Sequence, residues 1–480
     1  MTDAMLQFLS QRQEFPNKRD IPARKRDFFE IYADFIAAKA AAQAGRCSQC
    51  GVPFCQVHCP LQNNIPDWLR LTAEGRLREA YELSQATNNM PEICGRICPQ
   101  DRLCEGNCVL ETSGHGTVTI GAIERHLTET AWANGWVRPL GPVRLINASV
   151  GIVGAGPAGL AAAEELRRTG YRVTVYDRHD RAGGLLTYGI PDFKLEKSAV
   201  SRRVERLRAG GIEFRLGFGI GRDAQLADLR TWHDAVLVAT GVYRPRVLEA
   251  PGAGLGRIVQ ALDYLVASNR VNRGDRVAAF DDGTLDAEGK TVAVIGGGDT
   301  AMDCVRTAVR QGAKSVTCFY RRDRDNMPGS LREVLNAEEE GVTFEWLTAP
   351  KAFLGFTQVE ALRISRVRLG REDASGRRKP ELDATAESVR GVDMAVLALG
   401  FDPEPVHDML GDPGIALGPA GTIRVSGPAG ATSIDGVFAA GDIVRGASLV
   451  VWAIRDGRDA AQGIHRHLSA RSRTLREAAG

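Results

Sequence analysis

Eight of the chain's ten cysteines fall in two bursts, and both precede a glycine-rich loop. The first burst is Cys47-x2-Cys50-x4-Cys55-x3-Cys59-Pro60. The second is Cys94-x3-Cys98-Pro99, continuing to Cys104-x3-Cys108. Thiolates at such density, in backbone punctuated by proline and glycine, suit the wrapping of a compact inorganic core. Two dinucleotide motifs lie downstream. Together they describe a wire, with hydride entering at one end and single electrons leaving at the other.

At 480 residues the chain is too long for one ordinary domain; about 150 residues per domain suggests roughly three. A net charge of +2 on 25% charged residues argues against nucleic-acid binding as the main role. The basic run Lys18, Arg19, Arg24, Lys25, Arg26 reads as a solvated or partner-docking face. No signal-peptide-like start is present, and no stretch approaches the roughly 18 apolar residues of a membrane span. The chain is therefore expected to be soluble and cytoplasmic, where clustered cysteines are metal ligands rather than disulfides.

Residues 1 to about 145 hold both bursts, with helix-like apolar spacing over Phe28–Ala44 and Pro66–Gln85, and read as a small helical metal domain. At Ser149 the pattern changes. An apolar run Ser149–Val153 leads into Gly154-x-Gly156-x-x-Gly159, a helical Leu160–Arg168 and a strand-like Arg172–Tyr176. The unit recurs as Thr291–Ile295, Gly296-x-Gly298-x-x-Ala301, a helix to about Gln311, and Ser315–Tyr320. Buried-strand signals at Ala235–Gly241 and Ala395–Gly400 close the two units, and another runs Val437–Asp442. Residues 270–290 read as a linker or small hairpin.

Two β-turn-α-β units imply two dinucleotide sites in an α/β fold with two Rossmann-type domains. In each loop the glycines permit the tight turn, close backbone approach to pyrophosphate and close helix packing. The helix N-terminus favours the phosphate charge. The first unit ends in Asp177, placed to accept hydrogen bonds from ribose hydroxyls and to repel a 2′-phosphate. The second ends in Arg321-Arg322, which suit a 2′-phosphate through forked, charge-assisted hydrogen bonds. The first site is thus expected to hold FAD, at Gly154, Ala155, Gly156, Gly159, Asp177, Thr240 and Gly241. The second is expected to hold NADPH, at Gly296, Gly297, Gly298, Asp299, Thr300, Ala301, Arg321 and Arg322.

The first burst has the form of the bacterial ferredoxin run C-x2-C-x2-C-x3-C-P with a longer middle gap, and that run sends its fourth cysteine to the other cluster. By that logic Cys47, Cys50, Cys55 and Cys108 hold one cluster. Cys59, Cys98 and Cys104 hold the second, with Cys94 the simplest fourth ligand. A pair of zinc sites is the competing reading, but a redox flavin gives clusters a role and zinc none. His58 is expected to be a hydrogen-bonding neighbour, and Cys304 and Cys318 core residues.

These features together resemble the small (β) subunits of bacterial NADPH-dependent glutamate synthases. The resemblance spans essentially the whole chain. It is carried by the cysteine spacings, by Gly183-Gly184-Leu185-Leu186-x-Tyr188-Gly189-Ile190-Pro191 with Phe193-Lys194-Leu195-Glu196-Lys197, by Gly296–Met302 and by Gly441-Asp442. It implies an adrenodoxin-reductase-like FAD/NADPH module behind an N-terminal domain with two 4Fe-4S clusters, as also in dihydropyrimidine dehydrogenase. It places Gly184 and Leu185 near the flavin, and Gly441 and Asp442 at the ribityl–pyrophosphate region. The NADPH domain is then an insertion: 1–145 iron–sulfur, 146–285 FAD first part, 286–400 NADPH, 401–480 FAD second part. In that wider family one cluster takes a glutamine as its fourth ligand, and the matching position here is Glu124. Cys94 and Glu124 both stand as candidates.

The resemblance further implies an electron-input subunit in ammonia assimilation. It would serve a large (α) subunit that carries FMN and makes L-glutamate from L-glutamine and 2-oxoglutarate, within a higher hetero-oligomer. The chain has no N-terminal cysteine nucleophile for amide hydrolysis and no (β/α)8 pattern, which agrees with that division of labour. An NADPH–ferredoxin or bifurcating transhydrogenase subunit would share every motif. A disulfide reductase fits poorly, because beyond Cys108 only Cys304 and Cys318 remain.

Overall fold

The computed structural model describes residues 5–141, 144–372 and 378–479. The apolar runs become two parallel sheets whose strands are nearly continuous in hydrophobic residues, as sheets covered on both faces require. The first has the order Val437–Ala439, Ala235–Val238, Ser149–Val153, Arg172–Asp177, Glu213–Leu216. The strand at one edge comes from the C-terminal part of the chain and pairs Val437 with Val236, so the second nucleotide unit is inserted into the first. The second sheet has the order Ile258–Gln260, Met394–Leu397, Thr291–Ile295, Ser315–Tyr320, Thr343–Trp346. A short antiparallel ribbon, Arg244–Pro245 against Phe401–Asp402, joins the sheets where the chain enters and leaves the insert.

This topology corrects the expected boundary at 286. Ile258–Gln260 pairs with Met394–Leu397, and the following helix Ala261–Asn272 packs Tyr264 and Leu265 into the core of the second unit, with Met302 and Val305. A three-residue edge strand carries no readable alternation, so nothing in the local pattern marks it. Residues 270–290 contain the end of that helix and a short helix Ala278–Asp281 rather than a hairpin. A three-stranded antiparallel sheet, Thr348–Leu354, Ala361–Glu372 and Arg378–Gly391, was not expected. It buries Phe353, Leu362 and Ile364 against Ile295 and Leu397 of the second unit.

The N-terminal domain is helical, built around Trp68, Leu69, Ile123 and Leu127. Pro66–Gln85 is two helices, Ile65–Ala73 and Leu77–Thr87, divided at Gly75 with φ 76°. The helix expected over Phe28–Ala44 starts only at Ala37. Upstream the chain has partners elsewhere, with Ile31 N donating to Phe193 O and Ala33 N to Asn17 O, and these replace the bonds a helix would make. The basic run is not a free face either. Lys18 and Arg24 pair with Glu339 of the second unit at 2.7 and 2.8 Å, and Arg19 pairs with Asp27. Among the described residues no helix is long and apolar enough to cross a membrane.

Candidate functional site

In the first unit Gly154 has φ 111°, and a Cβ there would lie 2.2 Å from Ala239 O. Only glycine lets the loop tuck beneath the neighbouring strand. Gly156 caps the helix Pro157–Thr169, which has no side-chain cap, and a Cβ on Gly156 would meet nothing within 4 Å. This uncapped first turn, Gly156 to Ala158, lines an open cleft, the arrangement a pyrophosphate needs. Gly159 packs on Gly154, where a Cβ would lie 1.9 Å from its carbonyl oxygen.

Asp177 ends the second strand, nearly buried. Its Oδ2 accepts from Ala155 N at 2.7 Å, and its Oδ1 from His179 N at 2.8 Å. The carboxylate is thereby fixed at the rim of the loop. A cleft enclosing about 640 Å³, its open mouth included, brings Gly154, Gly156, Asp177, Leu185, Thr240, Gly241, Gly441 and Asp442 together. Ala155 and Gly159 sit behind this lining, and Gly184 stacks on Gly156, where a Cβ would come 2.8 Å from its Cα. Thr240 Oγ1 is buried without a partner. Burial pushes the Asp442 carboxyl up to about 6, partly offset by a hydrogen bond from the Ser448 backbone. An open phosphate cradle, an orphaned hydroxyl and a fixed ribose-side carboxylate fit FAD. Tyr243, which the sequence reading did not single out, stands under the Arg178 guanidinium at 4.5 Å and walls the Asp177 end.

The second unit repeats the loop. Gly296 has φ 149° and a Cβ position 2.2 Å from Ala398 O, Gly297 faces the Tyr320 ring, and Gly298 faces open space. Ala301 is buried beneath the loop, and Thr300 is half-buried at its edge. Asp299 Oδ1 accepts from Ser330 N at 2.9 Å, and Gly297 O from Gly329 N at 3.0 Å, so a downstream segment lies over the loop. The two arginines separate. Arg321 is exposed, with no bonded partner among the described residues. Arg322 is buried, and its Nε donates to Arg378 O at 2.9 Å, bracing the antiparallel sheet.

The thiols divide into two neighbouring sets. Burial pushes the Cys47 thiol up to about 11 and that of Cys55 up to about 12, and Cys108 and Cys50 add to both by charge repulsion. Cys59, Cys94, Cys98, Cys104 and Glu124 line a common cavity enclosing about 410 Å³, its open mouth included. Burial raises the Glu124 carboxyl to about 8, against a hydrogen bond from Asn88 Nδ2 at 3.1 Å. Gln49, in the first burst, and Gln62, just after it, hold φ of 50° and 49°, a left-handed backbone at both turns. The soft thiols of Cys59, Cys94, Cys98 and Cys104 around one cavity fit an iron–sulfur cluster. Cys304 and Cys318 are fully buried in the second unit, and exposed His58 bonds Phe54 O through Nδ1 at 2.9 Å.

The helix Val450–Ala479, which the sequence reading also missed, joins these sites. Its first turn puts Val450 on the FAD-side cleft and Val451 on the thiol cavity. Arg455 then donates to Pro60 O, beside Cys59, at 3.0 Å.

Residues 24–136 match the dihydropyrimidine dehydrogenase domain II, 4Fe-4S cluster family, and residues 148–457 match the pyridine nucleotide-disulphide oxidoreductase family. The glutamate synthase (NADPH) small chain of Azospirillum brasilense is 61% identical over 98% of this chain and 97% of its own length. That of Escherichia coli (strain K12) is 46% identical over 97% and 99%. The solved structure of Mycobacterium tuberculosis FprA in complex with NADPH shares the fold, with TM-score 0.58 and 20% identity over 69% of this chain and 86% of that one. The chain is an NADPH-dependent flavin oxidoreductase with an N-terminal 4Fe-4S domain, and it belongs to the glutamate synthase (NADPH) small-chain family.

Proposed function

We propose that the chain oxidises NADPH at FAD and passes the electrons through two 4Fe-4S clusters to a large FMN-carrying subunit. That subunit would form L-glutamate from L-glutamine and 2-oxoglutarate. The observation that carries this reading is the single helical turn, Val450 on one side and Val451 on the other, between the nucleotide cleft and the thiol cavity. Bound FAD takes two electrons as a hydride and releases them singly, and clusters carry one each.

The chain's own residues hold and separate these groups. The uncapped N-termini after Gly156 and Gly298 receive pyrophosphate, Asp177 orders the FAD ribose, and Arg321 takes the 2′-phosphate. Leu449 and Val450 keep water from the flavin side of the cleft. Cys47, Cys50, Cys55 and Cys108 would hold one cluster. Cys59, Cys98 and Cys104 would hold the other, with Cys94 or Glu124 completing it. No acid–base dyad is assigned, because hydride transfer needs position rather than a proton relay.

The test uses purified chain shown by mass spectrometry to be free of partners. It should contain about eight irons, reduce ferricyanide with NADPH, and form glutamate only when the large subunit is added. Glutamate formation by the chain alone would overturn the subunit reading. Electron delivery to ferredoxin with no response to the large subunit would favour the transhydrogenase alternative. For the ligands, Cys108→Ala should lose the same EPR signal as Cys50→Ala. The more damaging of Cys94→Ala and Glu124→Ala marks the fourth ligand.

A further inference from the structure

We infer that Pro328–Glu333 couples the second nucleotide loop to the Cys98–Cys104 loop, so that nucleotide bound at one alters the other. The inference goes beyond the proposed function and rests on its placement of NADP(H) at the second loop.

The segment is bonded on both sides at once. Toward the nucleotide loop, Gly329 N donates to Gly297 O and Ser330 N to Asp299 Oδ1, at 3.0 and 2.9 Å. Toward the N-terminal domain, Asp101 accepts from Ser330 Oγ at 3.1 Å and from Leu331 N at 3.0 Å. Ser330 is the N-cap of the helix Leu331–Glu339 and makes no side-chain cap of its own. The cap is therefore supplied by a carboxylate from another domain, where it complements the helix dipole. Arg102 donates to Pro328 O, and Arg332 donates to Gln100 Oε1 at 3.1 Å and Glu105 Oε2 at 2.6 Å.

Gln100, Asp101 and Arg102 lie between Cys98 and Cys104, and Glu105 follows directly. Gln100 O accepts the amides of Leu103, Glu105 and Gly106, and Glu105 Oε1 accepts Gly121 N from the helix that carries Glu124. A cleft enclosing about 820 Å³, its open mouth included, borders both Cys98 and Asp299. Nucleotide settling on Gly297–Asp299 displaces or tightens the two bonds from Gly329 and Ser330. Those residues cannot shift without pulling on Asp101 and Arg102. Coupling of this kind is reciprocal in binding free energy.

The experiment uses cofactor-loaded full-length protein and NADP+, which occupies the site without reducing it. NADP+ affinity is measured by calorimetry, and amide hydrogen exchange is followed over residues 99–107. NADP+ should slow or speed exchange there at least about three-fold, and Asp101→Asn and Arg332→Gln should each change the NADP+ Kd by a similar factor. The EPR signal of the reduced cluster at Cys98 and Cys104 should shift with NADP+ in the wild type and not in Asp101→Asn. Two variants are used so that a folding failure in one leaves the other informative. NADP+ binding with unchanged exchange in 99–107 overturns the coupling alone. Failure of NADP+ to bind overturns the nucleotide placement and the coupling with it.

Discussion

The two nucleotide units share a loop but not a roof. Each opens with a glycine at positive φ whose Cβ position lies 2.2 Å from the carbonyl oxygen of an adjoining strand, Ala239 O in the first and Ala398 O in the second. Beyond that they diverge. The first is closed by its own chain returning: a Cβ on Gly441 would meet Ala158 Cβ at 2.9 Å, and one on Gly457 would meet Ala158 O at 2.2 Å. The second is covered by the Pro328–Ser330 segment, held there by another domain. A roof made of packed backbone suits a cofactor kept through many turnovers. A roof made of a few polar bonds suits a ligand that leaves each time. The same supersecondary unit is therefore set to retain or to exchange by what lies over it.

The comparison breaks most readily at the glycines. Gly154→Ala brings a methyl against backbone and forces an alanine to φ 111°. A cost above about 3 kcal/mol follows from the strain and overpacking together, and the protein should be recovered without FAD or not at all. Gly156→Ala and Gly298→Ala meet nothing within 4 Å, so both should fold and, stripped of nucleotide, melt near the stripped wild type. Gly156→Ala should lower FAD content after purification, and Gly298→Ala should raise KM for NADPH while FAD stays bound. If Gly298→Ala also lost FAD, the two sites would not be independent.

The joints to the N-terminal domain come next. Glu92, wholly buried, takes a two-pronged bond from Arg203 of the first unit at 2.8 and 2.8 Å. Glu92→Ala leaves a buried guanidinium uncompensated and should cost about 3–5 kcal/mol in chemical denaturation, much of it recovered in Glu92→Ala with Arg203→Met. Asp101→Ala removes only a helix cap from the second unit's joint and should cost about 1 kcal/mol. Equal costs would erase the distinction between a fixed and a yielding joint.

Acid should act on the second unit. Burial raises the Glu333 and Glu340 carboxyls, but Arg306 with Lys194, and Arg310 with Arg306, outweigh it and hold both at about 2. Folded values below the ordinary carboxylate range stabilise fully above about pH 4.5, and that contribution is lost as pH falls toward 2. Denaturation curves between pH 6 and 3 should show this slope. Glu340→Gln, less stable at pH 7, should lose less on acidification, and an unchanged slope would count against the assignment.

What the sequence made legible was local. Ser149–Val153, Thr291–Ile295 and the glycine loops were readable because strand burial and turn geometry are written within a few residues. What it hid depends on distant partners. Phe28–Ile36 has apolar spacing suited to a helix, yet Phe193 and Asn17 claim its backbone. Asp101 caps a helix 230 positions away in the sequence, and nothing near Asp101 signals it. The pair Arg321-Arg322 looked like one feature, because adjacent residues of a strand end carry no mark of which face each takes.

That pair gives the smallest effect and the finest distinction. Arg321 is exposed just past the strand Ser315–Tyr320, whereas Arg322 is buried with its Nε on Arg378 O. A charge-assisted contact contributes about 1.5–3 kcal/mol. Arg321→Ala should therefore weaken NADPH at least about ten-fold while leaving NADH and stability nearly unchanged. Arg322→Ala should do the reverse: lower the melting temperature by undoing the brace to the antiparallel sheet, and shift both coenzymes little and equally. Measuring Kd for both coenzymes on both variants separates selection from support. If the two variants lose NADPH selectivity equally, both guanidiniums read the phosphate, and the burial of Arg322 must yield when nucleotide binds. If neither does, the selectivity of the second unit lies outside the residue pair that follows its second strand.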